Sequence, residues 1–261
     1  MSFLLFAAGI YGALALAAFL GQRTLMYPAP ARAAIEPRGP GMTLERISGG
    51  NGEVIALYAR APEAAPTVVF FHGNGEDLGD LAGLLREFAM HRVGCYAVEY
   101  PGYGLMRSQA PSEVALYGAA EAALLHLRDT LGVPVASTVL VGQSLGSGVA
   151  TEMAHRGHAG RLVLISPFTS MTDMAARVAP ILPARLIVRD RYDNQAKAPY
   201  LAMPVLVIHG SNDTVVPFVM GARLAKILPR AELRTVAGAG HNDLFAVAPD
   251  LIGEIARFAA P

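Results

Sequence analysis

The segment that most restricts how this chain can fold is Gly142-Gln143-Ser144-Leu145-Gly146. It lies between the apolar run Thr138-Val139-Leu140-Val141 and the helical run Gly148-Val149-Ala150-Thr151-Glu152-Met153. A G-x-S-x-G pentapeptide between a strand and a helix implies a sharp turn that strains the serine backbone and exposes its hydroxyl above a sheet. Glycines two residues to either side remove side chains that would collide across so tight a turn. The helix that follows points its first amides at negative charge developing beside the serine. Five residues alone are weak evidence; the flanking strand and helix carry the inference.

The rest of the chain supplies the sheet. Short β-branched runs at 53–60, 67–71, 95–100, 138–141, 161–165, 205–209 and 233–236 are mostly apolar on both faces, as in strands covered by helices on two sides. Helical spacing at 78–90, 112–131, 145–156, 218–228 and 243–258 falls between them. Alternating βα units predict a largely parallel sheet with right-handed crossovers. Strands at 43–48 and 53–60, joined by Gly49-Gly50-Asn51-Gly52, predict an antiparallel hairpin at its start. The expected fold class is α/β.

Two further residues follow Ser144 in the order acid, then base. Asp213 lies in His209-Gly210-Ser211-Asn212-Asp213, just past the apolar strand Val205-Leu206-Val207-Ile208, at the strand edge where ligands gather in open α/β sheets. His241 lies in Gly238-Ala239-Gly240-His241-Asn242-Asp243, between the last strand and the last helix. Asp243 is a rival acid, but its place at a helix start reads as a cap. For an oxyanion hole, one amide is expected from Leu145 and the other from Asn74, in the loop His72-Gly73-Asn74-Gly75 after an apolar strand. His72 ends that strand and reads as a residue that holds the loop.

Composition narrows the function classes. The formal net charge is zero, with 53% hydrophobic and 16% charged residues, and no basic run is present, so no nucleic-acid partner is expected. The single cysteine, Cys95, lies in the strand-like Gly94-Cys95-Tyr96-Ala97-Val98 and reads as a small buried hydrophobe. His155 and His158 are three apart but lack further ligands, and Gly102-Tyr103-Gly104 lacks the rest of a dinucleotide fingerprint. No metal or cofactor is expected.

Residues 3–20 carry no charge, a length at the lower limit for crossing a bilayer. A cleaved signal peptide is the competitor, but no Lys or Arg precedes the run and it is long for a signal core. The expected organisation is a membrane anchor helix at 1–22, a Pro- and Gly-rich linker at 23–42 and a catalytic domain at 43–261. Arg23, Arg32 and Arg38 after the apolar run favour a cytosolic domain.

Taken together these residues resemble the α/β-hydrolase superfamily from about Met42 to the C-terminus. Phe71-His72-Gly73-Asn74-Gly75, Tyr100-Pro101-Gly102-Tyr103-Gly104, Ser166-Pro167-Phe168-Thr169-Ser170 and Asp190-Arg191-Tyr192-Asp193-Asn194 are similar to the Bem46-like branch. That branch includes animal depalmitoylating hydrolases and many bacterial proteins, often with an N-terminal membrane segment. The resemblance implies an eight-stranded, mostly parallel sheet flanked by helices, and matches Ser144, Asp213 and His241 to the family triad. Two departures stand out. Met106 and Arg107 occupy a site-bordering loop, one residue longer than usual, where the pattern has Ser. The cysteine cluster of the depalmitoylating members gives way to an apolar helix.

The expected reaction is transfer of an acyl group to water through an acyl-enzyme on Ser144, with a small or lipid-like ester or thioester as substrate. Residues 168–190, rich in Met, Ala, Leu and Pro, are the expected cap element, whose apolar side chains suit hydrophobic acyl groups or, alternatively, ordinary packing. A histidine base must be neutral to take a proton, so activity is expected to fall below roughly pH 6 to 7. An amidase or peptidase of the same fold and a non-catalytic scaffold are the alternatives.

Overall fold

The computed structural model describes residues 2–31, 41–49, 52–62 and 65–260. Among them the β-branched runs form β1 (Met42–Gly49), β2 (Gly52–Ala59), β3 (Thr67–Phe71), β4 (Gly94–Val98), β5 (Thr138–Gln143), β6 (Arg161–Ile165), β7 (Val205–Gly210) and β8 (Ala231–Val236). They make one eight-stranded sheet in the order β1-β2-β4-β3-β5-β6-β7-β8. β1 and β2 pair antiparallel, as do β2 and β4. Every other pairing is parallel. The hairpin at the start is therefore as expected, although Gly50 and Asn51 of its turn lie outside the described residues.

Strands β3 and β4 are buried along their whole length, the consequence of helices on both faces. The edge strand β8 instead exposes Glu232, and charge on an edge discourages pairing with another chain. The sheet is covered by α2 (Leu78–Met90), α3 (Glu113–Asp129), α4 (Leu145–His155), α8 (Phe218–Ile227) and α10 (Leu251–Ala259). Between β6 and β7 the chain forms the cap, with α5 (Met171–Val178), α6 (Ala184–Ile187) and α7 (Asn194–Lys197). Helix α2 shows how local sequence fixes an element. Leu78, Leu81, Leu85 and Phe88 recur at helical spacing on its buried face. Asp77 accepts from the Gly79 amide at 2.9 Å, and Asp80 reaches back to the Asp77 amide at 3.1 Å.

The strand order reverses at β3. Its successor β4 lies on one side and β5 on the other, so the connections leaving β3 and β5 run apart and open a crevice above their C-terminal ends. That crevice is where Ser144 emerges.

Two elements differ from expectation. The helix foreseen over 243–258 is split into α9 (Leu244–Val247) and α10, because Pro249 has no amide hydrogen and keeps Ala248 out of the helical region (φ −123°, ψ 80°). The N-terminal helix α1 (Ser2–Met26) runs past residue 22 to within two residues of Pro28. The first part of the expected linker is thus helix, and 32–40 lie outside the described residues. At 1.5 Å per residue, 25 residues span roughly 37 Å, against a hydrocarbon core of about 30 Å. With a mean hydropathy of 2.3 over its most apolar 18 residues, α1 is long and apolar enough to cross a membrane.

From Tyr11 onward α1 makes contacts with the cap. Tyr11 donates to the Ile181 carbonyl at 3.0 Å, and Gln22 donates to that of Ile187 at 2.9 Å. Arg23 pairs with Asp190 at 2.9 Å. Just after the helix, Tyr27 is buried and donates to Asp190 at 3.1 Å.

Candidate active site

Ser144 sits at the junction of β5 and α4 with φ 50° and ψ −114°, a region unfavourable to any residue with a side chain. The two flanking glycines are required by space. A Cβ on Gly146 would come within 2.0 Å of the Phe71 carbonyl oxygen, and one on Gly142 within 2.3 Å of the Gly146 oxygen. The tight turn thus lets α4 pass against β3 while Ser144 stays partly exposed.

Asp213 and His241 arrive from loops after β7 and β8, on the same rim. His241 Nε2 is 3.0 Å from Ser144 Oγ, and His241 Nδ1 is 2.7 Å from Asp213 Oδ2. Asp213 is buried and fixed by its own turn, its Oδ1 accepting from the amides of Val215 (3.0 Å) and Val216 (2.8 Å). Burial alone would raise the Asp213 pKa. Hydrogen bonds from His209 and His241, with the charge of His241 and the Val216 amide, outweigh it and hold the carboxyl well below the usual carboxylate range. The carboxyl therefore stays ionised through the neutral range, the state an orienting group would need. Asp243, the rival, stands at the start of α9, but its carboxylate turns back to the Gly240 amide at 2.6 Å instead of capping the helix, and so shapes the loop that carries His241.

The residue that sequence reasoning missed is His209. It is buried at the end of β7, its Nε2 2.9 Å from the Val216 carbonyl and 3.3 Å from Asp213 Oδ2. Its Nδ1 is buried without a hydrogen-bond partner, which fits a neutral ring protonated on Nε2. A histidine closing an apolar strand four residues before the acid was the available signal, since one tight turn brings such positions together.

On the other side of Ser144 the loop after β3 is held from several directions. His72 is buried, stacks on Tyr100 at 4.0 Å between ring centres and lies 2.8 Å from the Gly73 carbonyl through Nδ1. Its Nε2 faces Glu99 at 3.4 Å, an ion-pair contact longer than a good hydrogen bond. Burial works against the charged ring, but Glu99 and the Gly73 carbonyl prevail and raise the His72 pKa. The expectation that His72 holds the loop matches these contacts. Asn74 is clamped through its side chain, Oδ1 accepting from Tyr103 at 2.6 Å and Nδ2 donating to the Met26 carbonyl at 2.9 Å. Leu145, the first residue of α4, has no intrahelical acceptor for its amide. Cys95 is buried in β4, and burial pushes its thiol up, away from reactivity.

Comparison with known proteins agrees with this architecture. Residues 68–202 match the model of the alpha/beta hydrolase family, and residues 184–249 match a model described as TAP-like protein. The chain is 34% identical over 205 residues to human alpha/beta hydrolase domain-containing protein 17B, covering 77% of this chain and 69% of that one. Among solved structures, an esterase of Pyrococcus furiosus superposes with a TM-score of 0.69 at 15% identity, over 88% of this chain and 97% of that one. A hyperthermophilic esterase from Pyrobaculum calidifontis does so at 0.64 and 22% identity, over 86% and 84%. The chain belongs to the alpha/beta hydrolase family, in its Bem46-like branch.

Proposed function

We propose that this hydrolase cleaves a carboxylic ester or thioester through an acyl-enzyme on Ser144, acting on hydrophobic acyl substrates at a membrane. The observation that carries the reading is the continuous line Ser144 Oγ, His241, Asp213, with separations of 3.0 and 2.7 Å. In the first step His241 Nε2 takes the hydroxyl proton as Oγ attacks the carbonyl carbon. Asp213, ionised, holds Nδ1–H and stabilises the imidazolium. The oxyanion is met by the amides of Leu145 and Asn74. His241 then gives its proton to the leaving oxygen or sulfur, and a water activated by the same imidazole hydrolyses the acyl-enzyme.

The membrane part of the reading rests on α1, most of which falls within an anchor proposed at 1–22, and on Arg23, which favours a cytosolic catalytic domain. The test is labelling with a fluorophosphonate probe beside hydrolysis of p-nitrophenyl esters. The wild-type chain should label and turn over, and Ser144→Ala should do neither. A chain that binds no probe and cleaves no ester, thioester or amide would be a scaffold on this fold.

A further inference from the structure

We propose that α1 is one wall of an acyl-binding groove: with the cap it encloses the site that takes the fatty acyl chain of the substrate from the surrounding lipid. The inference rests on the reading of Ser144 as an acyl-transfer nucleophile. A cavity of about 320 Å³ lies between the last third of α1 and the cap. Ala18, Leu25 and Met26 face it from α1, and Met174, Val178 and Ile187 from the cap. That volume is at the lower end of small-molecule sites, roughly 300–1,000 Å³.

The lining decides the chemistry of the occupant. Gln22 carries the one side-chain amide in it, and that group is fully engaged. Its Nε2 donates to the carbonyls of Phe19 (2.8 Å) and Ile187 (2.9 Å), and its Oε1 accepts from the Arg189 amide at 2.7 Å. The rest of the lining is apolar side chains, and flexible methionines adapt to an alkyl chain.

Position ties the groove to the reaction. At one end Met26 accepts the hydrogen bond from Asn74, and a Cβ on the neighbouring Gly73 would lie 3.6 Å from Ser144 Cβ. The opposite wall begins at Met171, in the segment that leaves the rim after β6, the strand beside the one carrying Ser144. On the outer side Leu25 is 80% and Val178 82% exposed, so the groove is bordered by apolar surface continuous with a helix of membrane-crossing length. A carbonyl held at Ser144 with its chain along α1 would therefore enter from the bilayer without crossing water.

The experiment uses the full-length protein in phosphatidylcholine nanodiscs, with Ala18→Trp to fill the groove from α1 and Ala175→Trp to fill it from the cap. In wild type, kcat/KM on p-nitrophenyl esters should rise about fourfold per added methylene until the groove is full. Either tryptophan should lower the hexadecanoate-to-butyrate ratio at least tenfold. Independently of turnover, a sixteen-carbon fatty acid with a terminal diazirine should photolabel Ser144→Ala within residues 18–26 and 171–188. Adding either tryptophan should remove that label. Labelling spread over residues 3–16 and insensitive to both substitutions would overturn the groove, as would equal losses on short and long esters. If no ester is cleaved but the label still falls in the groove, the hydrolase reading fails and the acyl site stands.

Discussion

Ser144 rests on backbone that cannot shift without collision, whereas α1 and the cap meet through a handful of side chains. At the rim, α4 packs so closely on β3 and β5 that two positions admit only glycine, and Asp213 is held by two amides and two imidazoles. Between α1 and the cap, by contrast, α5 buries no residue, α6 buries only Ala184, and the polar ties include those of Tyr11, Gln22, Arg23 and Tyr27. The proposed chemistry is thus placed where geometry is overdetermined. The proposed acyl groove falls where the structure can yield.

The contrast is broken most sharply at Ser144, the proposed nucleophile. Ser144→Ala should reduce kcat on an activated ester on the order of 10⁵-fold while leaving the unfolding free energy within about 1 kcal/mol of wild type or above it. Retained turnover would mean the rim is not the reactive site. Asp213→Asn should cost on the order of 10⁴-fold, because the amide selects the wrong tautomer of His241. A loss confined to KM would contradict an orienting role.

The loop carrying Asn74 offers a test through stability. Glu99→Gln leaves His72 without its buried partner and should cost about 3 kcal/mol. The sign with pH follows from the raised His72 value. Its bound proton stabilises the fold below the unfolded pKa, and that contribution disappears as pH rises through the folded one. Denaturant titrations between about pH 6 and about pH 9 should therefore show wild-type stability falling and Glu99→Gln staying flatter. Parallel slopes would remove the ion pair from the account. The smallest effect belongs to the α1 face. Arg23 is 38% exposed, so solvent screens its pair with Asp190, and Arg23→Gln should cost no more than roughly 1 kcal/mol. It should nonetheless reduce long-ester turnover more than short, measured on the same ester series.

Much of this was legible beforehand, for identifiable reasons. Ser144 and Asp213 each follow an apolar strand, and His241 follows the more polar edge strand β8, all three in glycine-bearing loops that strands of a parallel sheet deliver to one rim. The resemblance supplied the number of strands but not their order, since pattern alone does not rank neighbours. His209 hid inside a strand because its contact with Asp213 depends on the turn between them. The Asp243 carboxylate faces Gly240 because the loop needs an acceptor more than α9 needs a cap. The docking of α1 was out of reach, because Gln22 and Arg23 find partners more than 160 residues away.

The positive φ of Ser144 has one more consequence. Glycine adopts that conformation at little cost, so Ser144→Gly should raise the melting temperature, by an amount corresponding to about 1 to 2 kcal/mol. On the proposed mechanism, selection of this protein for heat resistance alone would then enrich inactive variants at this codon, and any directed-evolution campaign would have to screen for turnover alongside survival.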